Sequence, residues 1–135
     1  MSIGRAALTR VVNKPIGPVG YGMLGLSIPW APTEPEVALG LMKKALDQGA
    51  NFWNGGIHYG TPTANSLHLL RYYFKKYPED AEKVVLSIKG AYDPKNGPIG
   101  SVEGIRASVE EAIKVLEGTK KIDVFEMARF ALLSL

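Results

Sequence analysis

The chain has 135 residues, 46% of them hydrophobic and 21% charged, which supports a domain with a real core and argues against disorder. It contains no cysteine, which excludes a disulfide framework, a cysteine-based zinc site and a thiol nucleophile. The formal net charge of +3 arises at the start, where residues 1–33 hold Arg5, Arg10 and Lys14 and no acid; the remainder is balanced.

No basic face or stripe of the kind that binds nucleic acid is present. No stretch is long and apolar enough for a secretory or membrane segment. Nothing like a cleavage signal follows the basic start, so it reads as an N-terminal strand or hairpin rather than a mitochondrial presequence. The expected location is cytoplasmic, with access to the nucleus open.

In chain order, Val19–Leu26 is a Gly-rich apolar strand candidate. Thr33 with Glu36 has the spacing of a capping box, and Pro35 suits a first helical turn. Val37, Ala38, Leu41, Met42, Ala45 and Leu46 then form a helical stripe that Gly49 ends. Ala50–Asn54 is a short strand, followed by a helix over about 64–76 with Leu67, Leu70 and Phe74 inward, which must stop before Pro78. The apolar residues of Val84–Ile88 do not alternate, as in a strand buried on both faces. Ser101 caps a third helix whose stripe is Val102, Ile105, Val109, Ala112, Ile113 and Leu116, and Ile122–Met127 is the next strand.

Strand starts near 19, 51, 84 and 122 are one βα unit apart, which predicts a parallel sheet with crossover helices. Two such folds compete, an open doubly wound sheet and an eightfold barrel. Gly20-Tyr21-Gly22-Met23-Leu24-Gly25 matches G-x-G-x-x-G, but a dinucleotide fingerprint needs a helix to open at those glycines. Pro29 and Pro32 are expected to keep the chain extended until Thr33. A barrel strand whose small residues admit a ligand or a neighbouring backbone is the preferred reading.

Two segments carry chemistry. Asn51–Gly60 runs from a strand through a glycine-rich loop to Tyr59-Gly60, and Val85–Gly90 sets Lys89 at the C-terminal end of a buried strand. Catalytic groups of barrels gather at that end. An unpaired ammonium beside a core is costly, so Lys89 either snorkels to solvent or has a partner. His58 abuts Tyr59 but is expected to point away from it, into solvent. His68 is expected on a helix surface, and Tyr72-Tyr73-Phe74 with Tyr77 reads as packing.

Taken together, the Gly20–Leu26 strand, the strand–loop–Tyr59-Gly60 motif, Lys89 and Lys121-Ile122-Asp123-Val124-Phe125 resemble the N-terminal half of an aldo-keto reductase. The resemblance covers about 14–130 and is strongest to the fungal pyridoxal reductases. It implies an α/β fold, a partial (β/α)8 TIM barrel of about four βα units over 1–135, with residues 131–135 an atypical apolar tail. It further implies an NADPH-dependent oxidoreductase that reduces a small-molecule carbonyl, best taken as pyridoxal to pyridoxine, in vitamin B6 metabolism.

The roles implied are Tyr59 as proton donor, Lys89 as the cation that makes its phenol more acidic, and Gly22, Met23, Leu24 and Asn54 beside cofactor and substrate. No metal is implied, nor a nucleic-acid or membrane partner. Two positions depart from the family: Asn54 replaces the usual aspartate, and Ala128 the usual histidine. Asn54 can still bond Lys89 or the cofactor ribose, but brings no negative charge. The alternative readings are a non-catalytic cofactor-binding regulatory subunit of this fold, and a truncated product without activity. A whole barrel needs eight units in about 250 residues. The isolated chain is therefore expected to self-associate or aggregate through sheet edges and uncovered apolar faces.

Overall fold

The computed structural model describes residues 9–129. The sequence expectations that fall on Arg5 and on the tail 131–135 lie outside them. The chain begins with a hairpin, β1 (Arg10–Val11) and β2 (Lys14–Pro15), turned through Val12 and Asn13 at φ 45 and 63. Strand β3 (Gly20–Gly22) leads into a single helical turn, α1 (Leu24–Ser27), and then α2 (Pro35–Asp47). Strand β4 (Phe52–Gly56) is followed by a small hairpin, β5 (Gly60–Thr61) and β6 (Ala64–Asn65), and by α3 (Ser66–Lys76). Strand β7 (Val85–Gly90), a third hairpin of β8 (Tyr92–Asp93) and β9 (Gly97–Pro98), α4 (Val102–Leu116) and β10 (Val124–Met127) complete the order.

The long strands form one parallel sheet in the order β10-β7-β4-β3. Adjacent strands are sequential βα units, as in consecutive staves of a barrel. The register aligns Gly22, Asn54, Ser87 and Val124 in one layer, and Gly56, Lys89 and Glu126 in the layer nearer the C-terminal ends. Residues two apart on a strand share a face. Asn54, Ser87, Lys89 and Glu126 therefore share the face that a closed barrel would enclose. The other face meets the helices: Trp53 is fully buried and stands edge-on to Tyr73 of α3 at 5.0 Å between centroids.

Several sequence boundaries move for local reasons. The first strand is shorter than Val19–Leu26, because Met23–Ser27 coil into α1 before Pro29 is reached. Glu34, not Thr33, caps α2, its carboxylate accepting from the amides of Glu36 and Val37. Ser101 does cap α4, accepting from Gly104 N at 3.1 Å. The buried stripe of α2 is Ala38, Leu39, Met42 and Leu46, leaving Val37 and Leu41 outward, and α4 buries Ser108, Ala112 and Leu116. Val102 and Ile113 of α4 are 67% and 53% exposed, on a side that no described element covers.

Two carboxylates pin the periphery. Asp80 has no exposed side-chain surface and accepts from Lys43 at 2.9 Å, Lys83 at 2.7 Å and Tyr73 at 2.8 Å. Burial opposes its charge, but the bonds from Lys83, Lys43 and Tyr73 outweigh that and hold the carboxyl down at about 2. Asp123 joins the first hairpin to the sheet, bonding Lys14, Lys120 and the Leu86 amide, each at 2.9 Å.

Candidate active site

The turn after β4 is built to present a tyrosine. Ser66, at the start of α3, clamps Gly56 by accepting from its amide and donating to its carbonyl, both at 2.9 Å. The chain folds back so that Tyr59 N donates to Gly56 O at 3.2 Å. Its ring lies over Gly56, where a Cβ would stand 3.0 Å from Cδ1. Gly60 has φ +131, and a Cβ on it would stand 2.3 Å from Ala64 O. Only glycine fits that corner, which explains the Tyr-Gly pair. Ser27 Oγ and Ser66 N both donate to Tyr59 O, fixing the backbone that carries the phenol.

Lys89 reaches the phenol from the neighbouring strand. Its Nζ donates to Tyr59 Oη at 3.2 Å and to Asn54 Oδ1 at 3.0 Å. Asn54 turns its amide nitrogen the other way, donating to Glu126 Oε1 at 2.8 Å, and Ser87 Oγ donates to the same carboxylate oxygen. An ammonium can only donate and a carboxylate can only accept, so the two neighbours fix which way the Asn54 amide points. The sequence reading brought Tyr59, Lys89 and Asn54 together, as they stand here, but overlooked Glu126. The sequence signals only a lone acid in Val124-Phe125-Glu126-Met127; its register with Lys89 comes from the sheet.

Gly22 ends β3 with nothing within 4 Å of where its Cβ would be, and Leu24 is 49% exposed. Met23 differs: its side chain is fully buried in the core, and its amide donates to Asn54 O at 3.0 Å. Ala128 continues the β10–β7 pairing through a 2.8 Å bond to Gly90 O. His58 is exposed, and its ring sits against Tyr92, with Nε2 2.6 Å from Tyr92 O.

His68 departs from the surface role expected for it. It is half-buried as part of the α3 cap, its Nδ1 accepting from Asn65 N at 3.3 Å, and burial and then the Arg71 charge lower its pKa. An apolar crevice of about 370 Å³ between Leu26, His68, Leu69 and Tyr72 lies apart from the Lys89 cluster, which faces the open side of the sheet.

A tyrosine and a lysine thus meet at the C-terminal ends of adjacent strands. Residues 18–131 match the model of the Aldo/keto reductase family. The chain belongs to that family. A relative from Schizosaccharomyces pombe, named "Probable pyridoxal reductase 2", is 47% identical over 119 residues, covering 84% of this chain and 35% of that protein. An uncharacterized oxidoreductase of the same yeast is 39% identical over 116 residues, covering 84% and 34%.

Among solved structures, an aldo-keto reductase from Klebsiella pneumoniae in complex with NADPH superposes with a TM-score of 0.66 at 13% identity, over 88% of this chain and 37% of that one. That likeness supports the fold: the four-stranded sheet is part of an aldo-keto reductase barrel. The chain spans about a third of the length of the curated relatives it matches.

Proposed function

We propose that this chain carries the proton-donating half of an NADPH-dependent aldehyde reductase, with pyridoxal as its substrate, acting once the rest of the barrel is in place. The observation that carries the proposal is the 3.2 Å bond from Lys89 Nζ to Tyr59 Oη. Family membership and the 47% identity to a relative named for pyridoxal reduction support the reaction and substrate class. The NADPH-bound family neighbour supports the choice of cofactor.

The residues present fit a flat ring at the end of β3, since the space over Gly22 is open and Leu24 offers an exposed apolar side chain. Gly22 and Leu24 would flank the nicotinamide, while the buried Met23 side chain would leave only its backbone on that side. Asn54, already bonded to Lys89 and Glu126, would border the same space. When bound, NADPH supplies the hydride that reduces the carbonyl carbon.

The protein supplies the proton. Because Lys89 has only donors, Tyr59 Oη accepts from it and keeps its own hydrogen free for a substrate oxygen. As that proton leaves, negative charge develops on a phenolic oxygen already held against an ammonium, and the field of a fixed cation stabilises it. The Ser66 clamp and the Gly60 corner hold the phenol, so little reorganisation is needed.

The test is steady-state reduction of pyridoxal by the full-length protein with NADPH, with Tyr59→Phe alongside. Loss of turnover by about two to four orders of magnitude in the variant is the expected result. Full turnover without the hydroxyl would overturn it. We also propose a cytoplasmic location and no nucleic-acid or membrane partner, both checked by fractionation of cells expressing a tagged chain.

A further inference from the structure

The departure at Asn54 leaves the ammonium of Lys89 without a carboxylate beside it, yet the next group along is one. Glu126 Oε1 accepts from Asn54 Nδ2 at 2.8 Å and from Ser87 Oγ, while Asn54 Oδ1 accepts from Lys89 Nζ at 3.0 Å. Four side chains from three adjacent strands thus form one ordered path, Glu126 to Asn54 to Lys89, with Ser87 steadying the far end. We propose that Glu126 is the positioning residue of this site: it locks the Asn54 amide and supplies, one residue removed, the negative charge that holds Lys89 on Tyr59. The proposal rests on the reductase reading above.

The chemistry selects asparagine at position 54. A side chain there must donate to a carboxylate on one side and accept from an ammonium on the other, and an amide does both. Aspartate at 54 would face Glu126 at hydrogen-bonding distance as a second carboxylate, and like charges that close cannot both ionise readily. The pair therefore behaves as one unit, with one amide and one carboxylate. Exchanging the two should preserve the bonds and the total charge: in Asn54→Asp with Glu126→Gln, the new amide donates to the new carboxylate, which still accepts from Lys89.

The experiment is this exchange in the full-length protein. Glu126→Gln should lower kcat by about tenfold to a hundredfold with the KM for aldehyde and the affinity for NADPH little changed, because a misdirected ammonium harms the proton transfer rather than binding. Asn54→Asp alone should be impaired as well, and the double variant should recover at least half of the lost kcat on a logarithmic scale. A role in folding alone would lower the melting temperature and the fraction of protein that binds NADPH, and would leave kcat per NADPH-binding molecule unchanged.

Unchanged kcat in Glu126→Gln, or a double variant no better than the singles, overturns the proposal. The Tyr59→Phe control separates the two readings. If it stays active, the reductase reading fails, and Glu126 is then judged by the NMR shift of the labelled Lys89 side chain. That shift moves in Glu126→Gln if the carboxylate acts on the lysine, and stays put if it does not.

Discussion

Gly56 lies directly beneath the ring of Tyr59, with the position of an added Cβ 3.0 Å from Cδ1 and 3.1 Å from Cε1. The tyrosine can fold over the end of β4 only because that strand ends without a side chain on the inner face. Gly56→Ala should push the ring aside by a few tenths of an ångström and lengthen the 3.2 Å bond from Lys89. Since a displacement of about 1 Å at a reacting group can cost about a hundredfold, the expected loss in kcat is about tenfold, with NADPH affinity kept. Kinetics and fluorescence titration of the full-length variant check both. An unchanged kcat would mean that the ring position does not limit the reaction.

The loop separates two neighbouring side chains that sequence alone makes equally tempting. Tyr59 meets Lys89, whereas His58 turns to Tyr92, with ring centroids 5.9 Å apart. Lys89→Met should therefore impair turnover about as severely as Tyr59→Phe, by orders of magnitude. His58→Ala should leave kcat within about threefold of wild type, because the imidazole contributes only the contact to the Tyr92 hairpin. Activity that survives Tyr59→Phe and vanishes in His58→Ala would reassign the acid.

Asp80 gives the fold an acid limit. Its native carboxyl is held at about 2, below the ordinary 3.8, so the unfolded chain takes up the proton first. The stabilisation is complete above about pH 4 and is lost as pH falls toward 2. Asp80→Asn should melt lower at neutral pH, since Lys43 and Lys83 lose their shared anion. It should also lose less stability than wild type between pH 4 and 2. Thermal melts across that range test the sign, and equal acid sensitivity in both proteins would place the acid limit elsewhere.

The repeat of strand and helix was legible because its apolar stripes are long and its units regularly spaced. Tyr59 and Lys89 were legible because each closes a strand with a residue that a plain core would not place there. What escaped was short or relational. The hairpins at Gly60–Asn65 and Tyr92–Pro98 rest on two-residue pairings, too brief for any periodicity to register. Ser108 sits in a stripe read as aliphatic, yet is buried because its hydroxyl accepts from the Ala91 amide at 2.8 Å. The role of Glu126 depends on cross-strand register, which a single strand does not reveal. Both departures from the family were visible at once, but the missing charge at Asn54 could be traced only after β10 was placed beside β7.

The 135-residue chain by itself offers one more test. Among the described residues, β3 and β10 each pair on one side only, and parallel edges with free amides and carbonyls are templates for further pairing. Val102 and Ile113 of α4 are exposed at 67% and 53%, which adds uncovered apolar surface to the open edges. We propose that this chain self-associates when expressed alone and binds NADPH weakly, because the sheet presents only one side of a cofactor site. Size-exclusion chromatography should show species larger than a monomer whose population rises with concentration, and fluorescence titration should show no saturable, NADPH-selective binding at micromolar ligand. A sharp monomer peak with a cooperative melt would show that the edges and the α4 face are tolerated in water. Tight NADPH-selective binding by such a monomer would move the cofactor contacts into this half of the barrel, and return attention to the glycines of Gly20–Gly25.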